Sequence, residues 1–505
     1  MTGGATRTPA RGRWREAILV GLAAALLVAV QAQGIATPSL WYDEAATYSG
    51  ASRTFAGLWD MVGEVDAVHG MFYALMHPVA ASFGADAFAL RFPSTVAVGA
   101  AAVLVYLLAR EFGTPWSAAA AALVFAGLGR TAWMATEARS FALATALSTL
   151  LTLLLVRAVR ARRPSAPLIV AYALVALLGV YVFLYVSLVV VAHAITVALL
   201  RPRRRGMALL AAMAIALALS APVALASVAQ RGQLGGVFPV DGRLIERVSV
   251  GEFFHREGGQ STLAWAALAV AAATMLLRRR GLAHAEAVQP LPSSGVSPWP
   301  VVLPWLVVPT LAIIVVSVLG PSIYQPRALV LSAPAFCVLL AALVRRAFGG
   351  VTAVAVALAV VVSGAGAFAA NRELTAKNAD WPVVAEELQR TAAPGEGILY
   401  STPIDYRTWP SLIALVHPEA VAGLVDVTLL VPGRERPALF DERSEPSAAV
   451  PTMSRLDRVF FVYSLALTDA DRADDVAALE AAGLRRDAVW SGPLTGIETW
   501  VRGGG

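Results

Sequence analysis

The chain has 505 residues, 58% of them hydrophobic and only 15% charged. A soluble domain carries about 25% charge, so this balance, with a mean hydropathy of +0.66, excludes an ordinary water-soluble protein. The net charge of +6 does not mark a nucleic-acid binder, because the arginines sit in short clusters between apolar runs, where they act as topology signals.

A membrane-spanning helix needs about 20 mostly apolar residues. In chain order the candidates are Ala17–Ala36, Pro93–Ala109, Trp116–Leu128, Ala132–Val156, Leu168–Val180, Val186–Leu200, Met207–Val228, Leu263–Leu277, Val301–Leu319, Ala328–Val344 and Val351–Ala370. That predicts a polytopic, all-α membrane domain of about 11 spans. The apolar run Leu168–Leu200 reads as two short helices broken near Tyr181–Tyr185, since the cationic clusters at its two ends belong on one side. The N-terminal run is too long for a signal-peptide core and is kept as the first span.

Arg7/Arg11/Arg13/Arg15, Arg110, Arg157–Arg163, Arg201–Arg205, Arg278–Arg280 and Arg345/Arg346 fall at alternate connections. An odd number of spans puts all of them in the cytoplasm. The expectation is therefore a multi-pass plasma-membrane protein with a cytoplasmic N-terminus and an extracytoplasmic C-terminal segment. The outer connections are then Thr37–Arg91 and Gln230–Ser261, the second holding Asp241, Glu246, Glu252, His255 and Glu257. The inner stretch Gly281–Pro300 is rich in Pro and Ser and reads as a linker.

After residue 370 the composition changes. Residues 1–370 form the membrane domain, with a first outer loop at 37–91, and residues 371–505 have the length of one small α/β domain. Its predicted helices are Trp381–Thr391 and Asp469–Ala482; its predicted strands are Gly397–Ser401, Arg458–Tyr463 and Gly496–Val501. Asp380-Trp381-Pro382 reads as a helix start, with Asp capping and Pro in the first turn. The single cysteine, Cys337, excludes an internal disulfide and a cysteine-based metal site.

Chemistry concentrates at predicted outer helix ends. Trp41-Tyr42-Asp43-Glu44-Ala45 follows the first span. A transferase that activates a hydroxyl needs a carboxylate base, and helix capping by Asp43 is the structural alternative. In the same loop, His69 to Pro78 (HGMFYALMHP) reads as an amphipathic interfacial helix with its aromatics toward lipid. His69 is placed to orient a phosphate or sugar, whereas His77 reads as an interfacial residue. Thr136-Glu137-Ala138-Arg139 opens the fourth span, and ionisable groups entering a membrane helix mark a functional site by default. Tyr324-Gln325-Pro326-Arg327 precedes the tenth span; the Arg327 guanidinium suits a lipid phosphate or, equally, a snorkelling anchor. Arg91, in Leu90-Arg91-Phe92-Pro93, reads slightly better as an anchor.

In this order the fragments WYDEA (41–45), HGMFYALMHP (69–78), LRFPS (90–94), TEARSFAL (136–143), QPRALVLSAP (325–334) and DWPVVAEEL (380–388) resemble the GT-C glycosyltransferases of the protein O-mannosyltransferase and aminoarabinose-transferase superfamily. The resemblance covers the membrane part and the start of the outer domain. Two departures are Gly70-Met71 after His69, where the superfamily often has Pro-Pro, and Ala328 after Arg327, where Tyr is common.

The resemblance implies an inverting enzyme that moves a sugar, mannose by default, from a polyprenyl-phosphate donor in the membrane lipid to a glycan, protein or lipid acceptor. It makes Asp43 the general base and Glu44 its neighbour, orienting acceptor or loop. His69, Glu137, Arg139 and Tyr324 become substrate-binding residues, and Arg327 the donor-phosphate ligand. Asp43 and Arg327 are expected to share one outward cavity. No cofactor or nucleic acid is implied, and no metal-ligand set stands out, although metal use varies in the superfamily. A transporter or flippase, with polar groups at the bilayer midplane, and a non-catalytic scaffold are the competing readings.

Overall fold

The computed structural model describes residues 10–161, 165–233, 237–280 and 297–503. Arg7, Arg162, Arg163 and the expected linker up to residue 296 lie outside the described residues. Seven described helices are long and apolar enough to cross a membrane: Trp14–Ala32, Ala87–Phe112, Phe141–Arg160, Gly258–Arg279, Trp299–Leu319, Pro326–Phe348 and Gly350–Ala370. Two bent pairs, Pro115–Gly127 with Gly129–Ala135 (63°) and Arg204–Leu219 with Ala221–Ala229 (43°), raise the number to nine. The expected count of 11 is reached only if Ala166–Val182 and Val186–Leu200, both shorter, also cross. Those two helices confirm the break predicted near Tyr181–Tyr185.

The chain folds as two compact units, each assembled from separate stretches. The first comprises residues 1–33, 92–222 and 236–368, and the second residues 34–91, 223–235 and 369–505. The change of unit at 368/369 falls beside the compositional change at 370, while the first outer loop groups with the C-terminal residues.

In the first unit, the structure corrects one predicted span. Ala132–Val156 is not continuous: the helix ends at Ala135 and a new one starts at Phe141. The adjoining bend at Leu128 has a clear packing cause. A Cβ on Gly127 would lie 2.6 Å from the Val361 Cα, and one on Gly129 would lie 2.7 Å from the Phe254 carbonyl oxygen. Only glycine admits backbone that close. The groups released by the bend find one partner, Gln260, which donates to the Gly127 carbonyl (2.6 Å) and accepts from the Gly129 N–H (3.0 Å).

In the second unit, a five-stranded mixed sheet carries the C-terminal core. Its central strand, Arg458–Ser464, pairs in parallel with Gly397–Tyr400 and antiparallel with Thr495–Arg502. The outer strands are Val425–Asp426 and Leu484–Ser491. Leu399, Phe461, Tyr463, Leu479 and Trp500 pack together around it. The three predicted strands are present, and the helix Trp381–Thr391 has the predicted bounds. The second predicted helix is shorter, Ala473–Ala481.

Asp380 does not cap that first helix, contrary to the sequence reading. Its carboxylate instead accepts from the Leu494 and Thr495 N–H groups (2.8 and 3.0 Å) and from the Thr495 hydroxyl (2.6 Å). The helix N-terminus is closed by Ser39, whose hydroxyl accepts from the Trp381 N–H at 3.1 Å. Asp380→Ala leaves three donors to find new partners. The expected cost is about 1–3 kcal/mol, seen as lost hydrogen-exchange protection in 381–391 and 494–502; unchanged protection would refute this role.

Candidate functional site

Asp43 lies in the second unit, in the first turn of the helix Tyr42–Ala51. Carboxylates are favoured there by the helix dipole. Trp41, not Asp43, occupies the N-cap position, so capping does not explain the acidic pair.

Glu44, beside it, is fully buried and paired with Arg91 at 2.5 Å. The Arg91 guanidinium is saturated. Its Nε donates to Glu44 Oε1 (2.7 Å) and its Nη2 to Glu44 Oε2 (2.5 Å). Its remaining donors reach the carbonyls of Ile35 (2.7 Å), Pro38 (2.7 Å) and Ser39 (2.9 Å). Two readings change as a result. Arg91 is no anchor reaching toward headgroups; it is an interior clamp on residues 35–44. Glu44 has both oxygens engaged by Arg91 in the interior, which points to a structural hold on the start of the Asp43 helix.

Asp43 itself is half-buried, in contrast to its fully enclosed neighbour.

His69 belongs to the same unit, at the N-cap of the helix Gly70–Phe83, half-buried and tilted against the Tyr73 ring at 6.2 Å. The helix is present as expected, but its aromatics do not face outward. Phe72 and Tyr73 are buried, and the Tyr73 hydroxyl donates to Asp66. His77 is half-buried, with Nδ1 3.0 Å from the Ala51 carbonyl oxygen.

Glu137, Arg139, Tyr324 and Arg327 all lie in the first unit. Glu137 and Arg139 occupy the non-helical stretch 136–140 between two helices. Hydroxyls from a neighbouring helix support that stretch: Thr95 donates to the Ala135 carbonyl (2.9 Å) and Ser94 to that of Arg139 (3.5 Å). Both charged side chains are buried. Arg327 sits in the short 3-10 helix Pro326–Ser332, half-buried, its guanidinium 5.9 Å from the Phe141 ring centre.

Tyr324 departs from its expected role. It is fully buried, and its hydroxyl donates to Glu252 Oε1 at 3.1 Å. It therefore holds another protein group instead of presenting a surface to a substrate.

Two further residues belong here: Arg130, which sequence reasoning passed over, and Glu252, which it named only as part of an outer connection. Arg130, on the short helix after the Gly127–Gly129 bend, donates through Nε to the Gly251 carbonyl (3.1 Å) and lies 4.9 Å over the Trp133 ring. Trp133 stacks in turn on His255, 6.1 Å away at 22°. Arg130 is within the electrostatic reach of Arg327, Arg256, Glu137 and Glu252. The missed signal was its placement: a lone arginine at a predicted outer connection breaks the positive-inside pattern.

Glu252 is buried and accepts from Thr310 (2.9 Å) as well as Tyr324. Burial pushes its carboxyl from the usual 4.5 up to about 8, against the opposing pull of these two hydroxyls and of Arg130. At neutral pH Glu252 is thus mostly protonated and contributes little negative charge beside Arg130. Among the described residues, no group of three or more His, Cys, Asp or Glu side chains is arranged to hold a metal ion.

No protein-family model matches the chain, and no curated protein matches it in sequence. Among solved structures, ArnT from Cupriavidus metallidurans in the apo state is similar at a TM-score of 0.58 and 12% identity, over 97% of this chain and 98% of that one. The same protein bound to undecaprenyl phosphate gives 0.56 and 13%, over 96% and 97%. The arabinofuranosyltransferase AftD from Mycobacteria gives 0.52 and 15%, over 96% of this chain and 40% of that one. The chain has the GT-C fold.

Two predictions follow from this geometry. Arg91→Ala leaves Glu44 buried without its partner and frees three carbonyls, a loss on the order of 3–5 kcal/mol. Lysine cannot replace the five-donor fork, so Arg91→Lys should also lower the unfolding temperature in detergent; a lysine variant as stable as the parent would contradict the clamp.

Glu252 has a folded pKa above its unfolded value. Its stabilising contribution is therefore complete below about pH 4.5 and lost as pH rises through about 8. Between pH 5 and 8.5 the protein should lose stability, by roughly a few kcal/mol at most. Glu252→Gln should flatten that slope, and parallel profiles for the two proteins would show the assignment to be mistaken.

Proposed function

We propose that the protein is an integral-membrane glycosyltransferase that moves a sugar from a polyprenyl-phosphate donor to an extracytoplasmic hydroxyl, with inversion. The observation that carries the reading is a concentration of arginines around the broken helices of a GT-C fold, one of whose solved examples holds undecaprenyl phosphate. An arginine fork matches phosphate oxygens.

The acceptor oxygen attacks the anomeric carbon, and the bond from that carbon to the phosphate oxygen breaks. The polyprenyl phosphate leaves with the electron pair, and the acceptor proton passes to Asp43. Arg327, with Arg139 and Arg130, stabilises the charge that develops on the departing phosphate. Glu44 keeps Asp43 in place, and His69 and Glu137 contact the sugar. No nucleotide site is needed, because the activated sugar arrives in the bilayer. Mannose is the default sugar, on the likeness of the sequence fragments, and a glycan, protein or lipid would supply the hydroxyl. The N-terminus is assigned to the cytoplasm and residues 371–505 to the outside, from the arginine clusters.

The test is transfer from undecaprenyl-phosphate mannose, or its arabinose counterpart, by the purified chain in detergent. Asp43→Asn should lower kcat by about 10²–10⁴-fold. Arg327→Ala should lower it by about 10²–10³-fold. A folded Asp43→Asn protein working at the parental rate would eliminate the base assignment.

A further inference from the structure

The proposed base lies beside a group of aromatic rings that the reaction above does not use. Trp41 and Tyr42 directly precede Asp43 in the chain, and both meet rings from the C-terminal part of the same unit. Trp41 is edge-on to Tyr406, with centroids 6.2 Å apart. Tyr42 lies 5.3 Å from both Trp409 and Phe440. Trp409 and Phe440 are themselves 5.4 Å apart.

These rings are held in place. Ser49, on the Asp43 helix, donates to the Leu439 carbonyl at 2.5 Å. Arg53, just past that helix, donates to the carbonyls of Gly433 (2.6 Å), Arg436 (2.9 Å) and Ala438. The loop carrying Tyr406 and Trp409 is braced by Thr408, whose hydroxyl accepts from the N–H groups of Ile404 (2.9 Å) and Asp405 (3.0 Å).

The shelf is open on one side. Tyr406 is 41% exposed, Trp409 and Phe440 are half-buried, and Asp43, next to Tyr42 in the chain, is half-buried. An exposed ion pair borders it: Arg407 and Asp405 meet at 2.6 Å, with the Arg407 guanidinium 5.9 Å from the Tyr406 ring.

We infer that this shelf is the acceptor subsite and that the acceptor is a carbohydrate, whose ring stacks on Trp409 and Tyr406 while Asp405 and Arg407 bind its hydroxyls. The inference rests on Asp43 being the base. A pyranose has an apolar face of C–H groups that suits a fixed aromatic face, and an edge of hydroxyls that suits a carboxylate and a guanidinium. Such a mixture of rings and a few placed polar groups is how small polar ligands are oriented. A hydroxyl of that sugar is then delivered to Asp43. A membrane-interface belt also uses Tyr and Trp, but belt rings need no bracing against one another or against the residues that flank a reactive carboxylate.

The experiment measures binding of α-linked mannose and arabinose di- and trisaccharides to the full chain in detergent by calorimetry, together with their acceptor KM in the transfer assay. Trp409→Ala should weaken binding and raise KM by about tenfold or more, while the affinity for undecaprenyl phosphate stays. Trp409→Phe keeps a ring and should stay within about threefold of the parent, which separates stacking from misfolding. The inference is overturned if folded Trp409→Ala binds and uses the saccharides as the parent does. It is equally overturned if a Ser/Thr peptide, not a saccharide, binds with this dependence.

Cys337 is buried, so a fluorophore on Tyr406→Cys reports that site alone. Its quenching by brominated lipid tails in nanodiscs would place the shelf in the bilayer and end the proposal. Transfer that is insensitive to Trp409 sinks the shelf and leaves the enzyme. Saccharide binding that depends on Trp409 in a chain without transfer does the reverse.

Discussion

A helix that breaks within apolar surroundings releases carbonyl and N–H groups, and each must be partnered without help from water. The first unit breaks its helices at Leu128 and at residues 136–140, and supplies a partner for each break from a neighbouring helix. Gln260 serves the first, and Thr95 and Ser94 the second. Several ionisable residues of the unit lie at helix interruptions. Arg130 follows one, Glu137 and Arg139 lie in the other, and Arg327 follows the non-helical stretch before Pro326. A continuous helix would space such groups around its circumference; an interrupted one can direct several toward one place.

Arg91 and Arg327 look alike in sequence, each a lone arginine at the start of an apolar segment, yet the structure gives them opposite surroundings. Arg91 has five hydrogen bonds to protein acceptors and is wholly enclosed, which is the condition under which a buried charge is tolerated. Arg327 stays half-buried in a group that already contains Arg130. Beside Arg130, Glu252 is held mostly protonated by its burial.

Much of this architecture was legible because membranes impose strong rules. Apolar length revealed most spans, and the interruption at Tyr181–Tyr185 could be read from charge placement alone. The break at 136–140 could not, since the hydroxyls that support it lie some forty residues earlier in the chain. Asp380 was misread for a similar reason. Its local context is that of a cap, but its partners are more than a hundred residues away. Tyr324 and Glu44 were singled out for substrate binding and catalysis, and each spends its polar atoms on another protein group. Sequence shows that a polar residue needs a partner; only the fold shows which partner it has.

The second unit ties its C-terminal residues to the first outer loop, a link that their composition does not reveal. Were they an appended domain, the segments 404–410 and 433–440 would need no fixed relation to the first outer loop. Instead three carbonyls of 433–438 converge on Arg53, Ser39 closes the helix that starts at Trp381, and rings from both segments pack against Trp41 and Tyr42, the residues just before Asp43. These contacts join residues more than three hundred positions apart, so the loss of either partner disturbs the surroundings of Asp43. The base proposed here would need its acceptor held to within a fraction of an ångström. Ten residues of helix at the end of a loop cannot do this alone, and the C-terminal residues supply the rigidity.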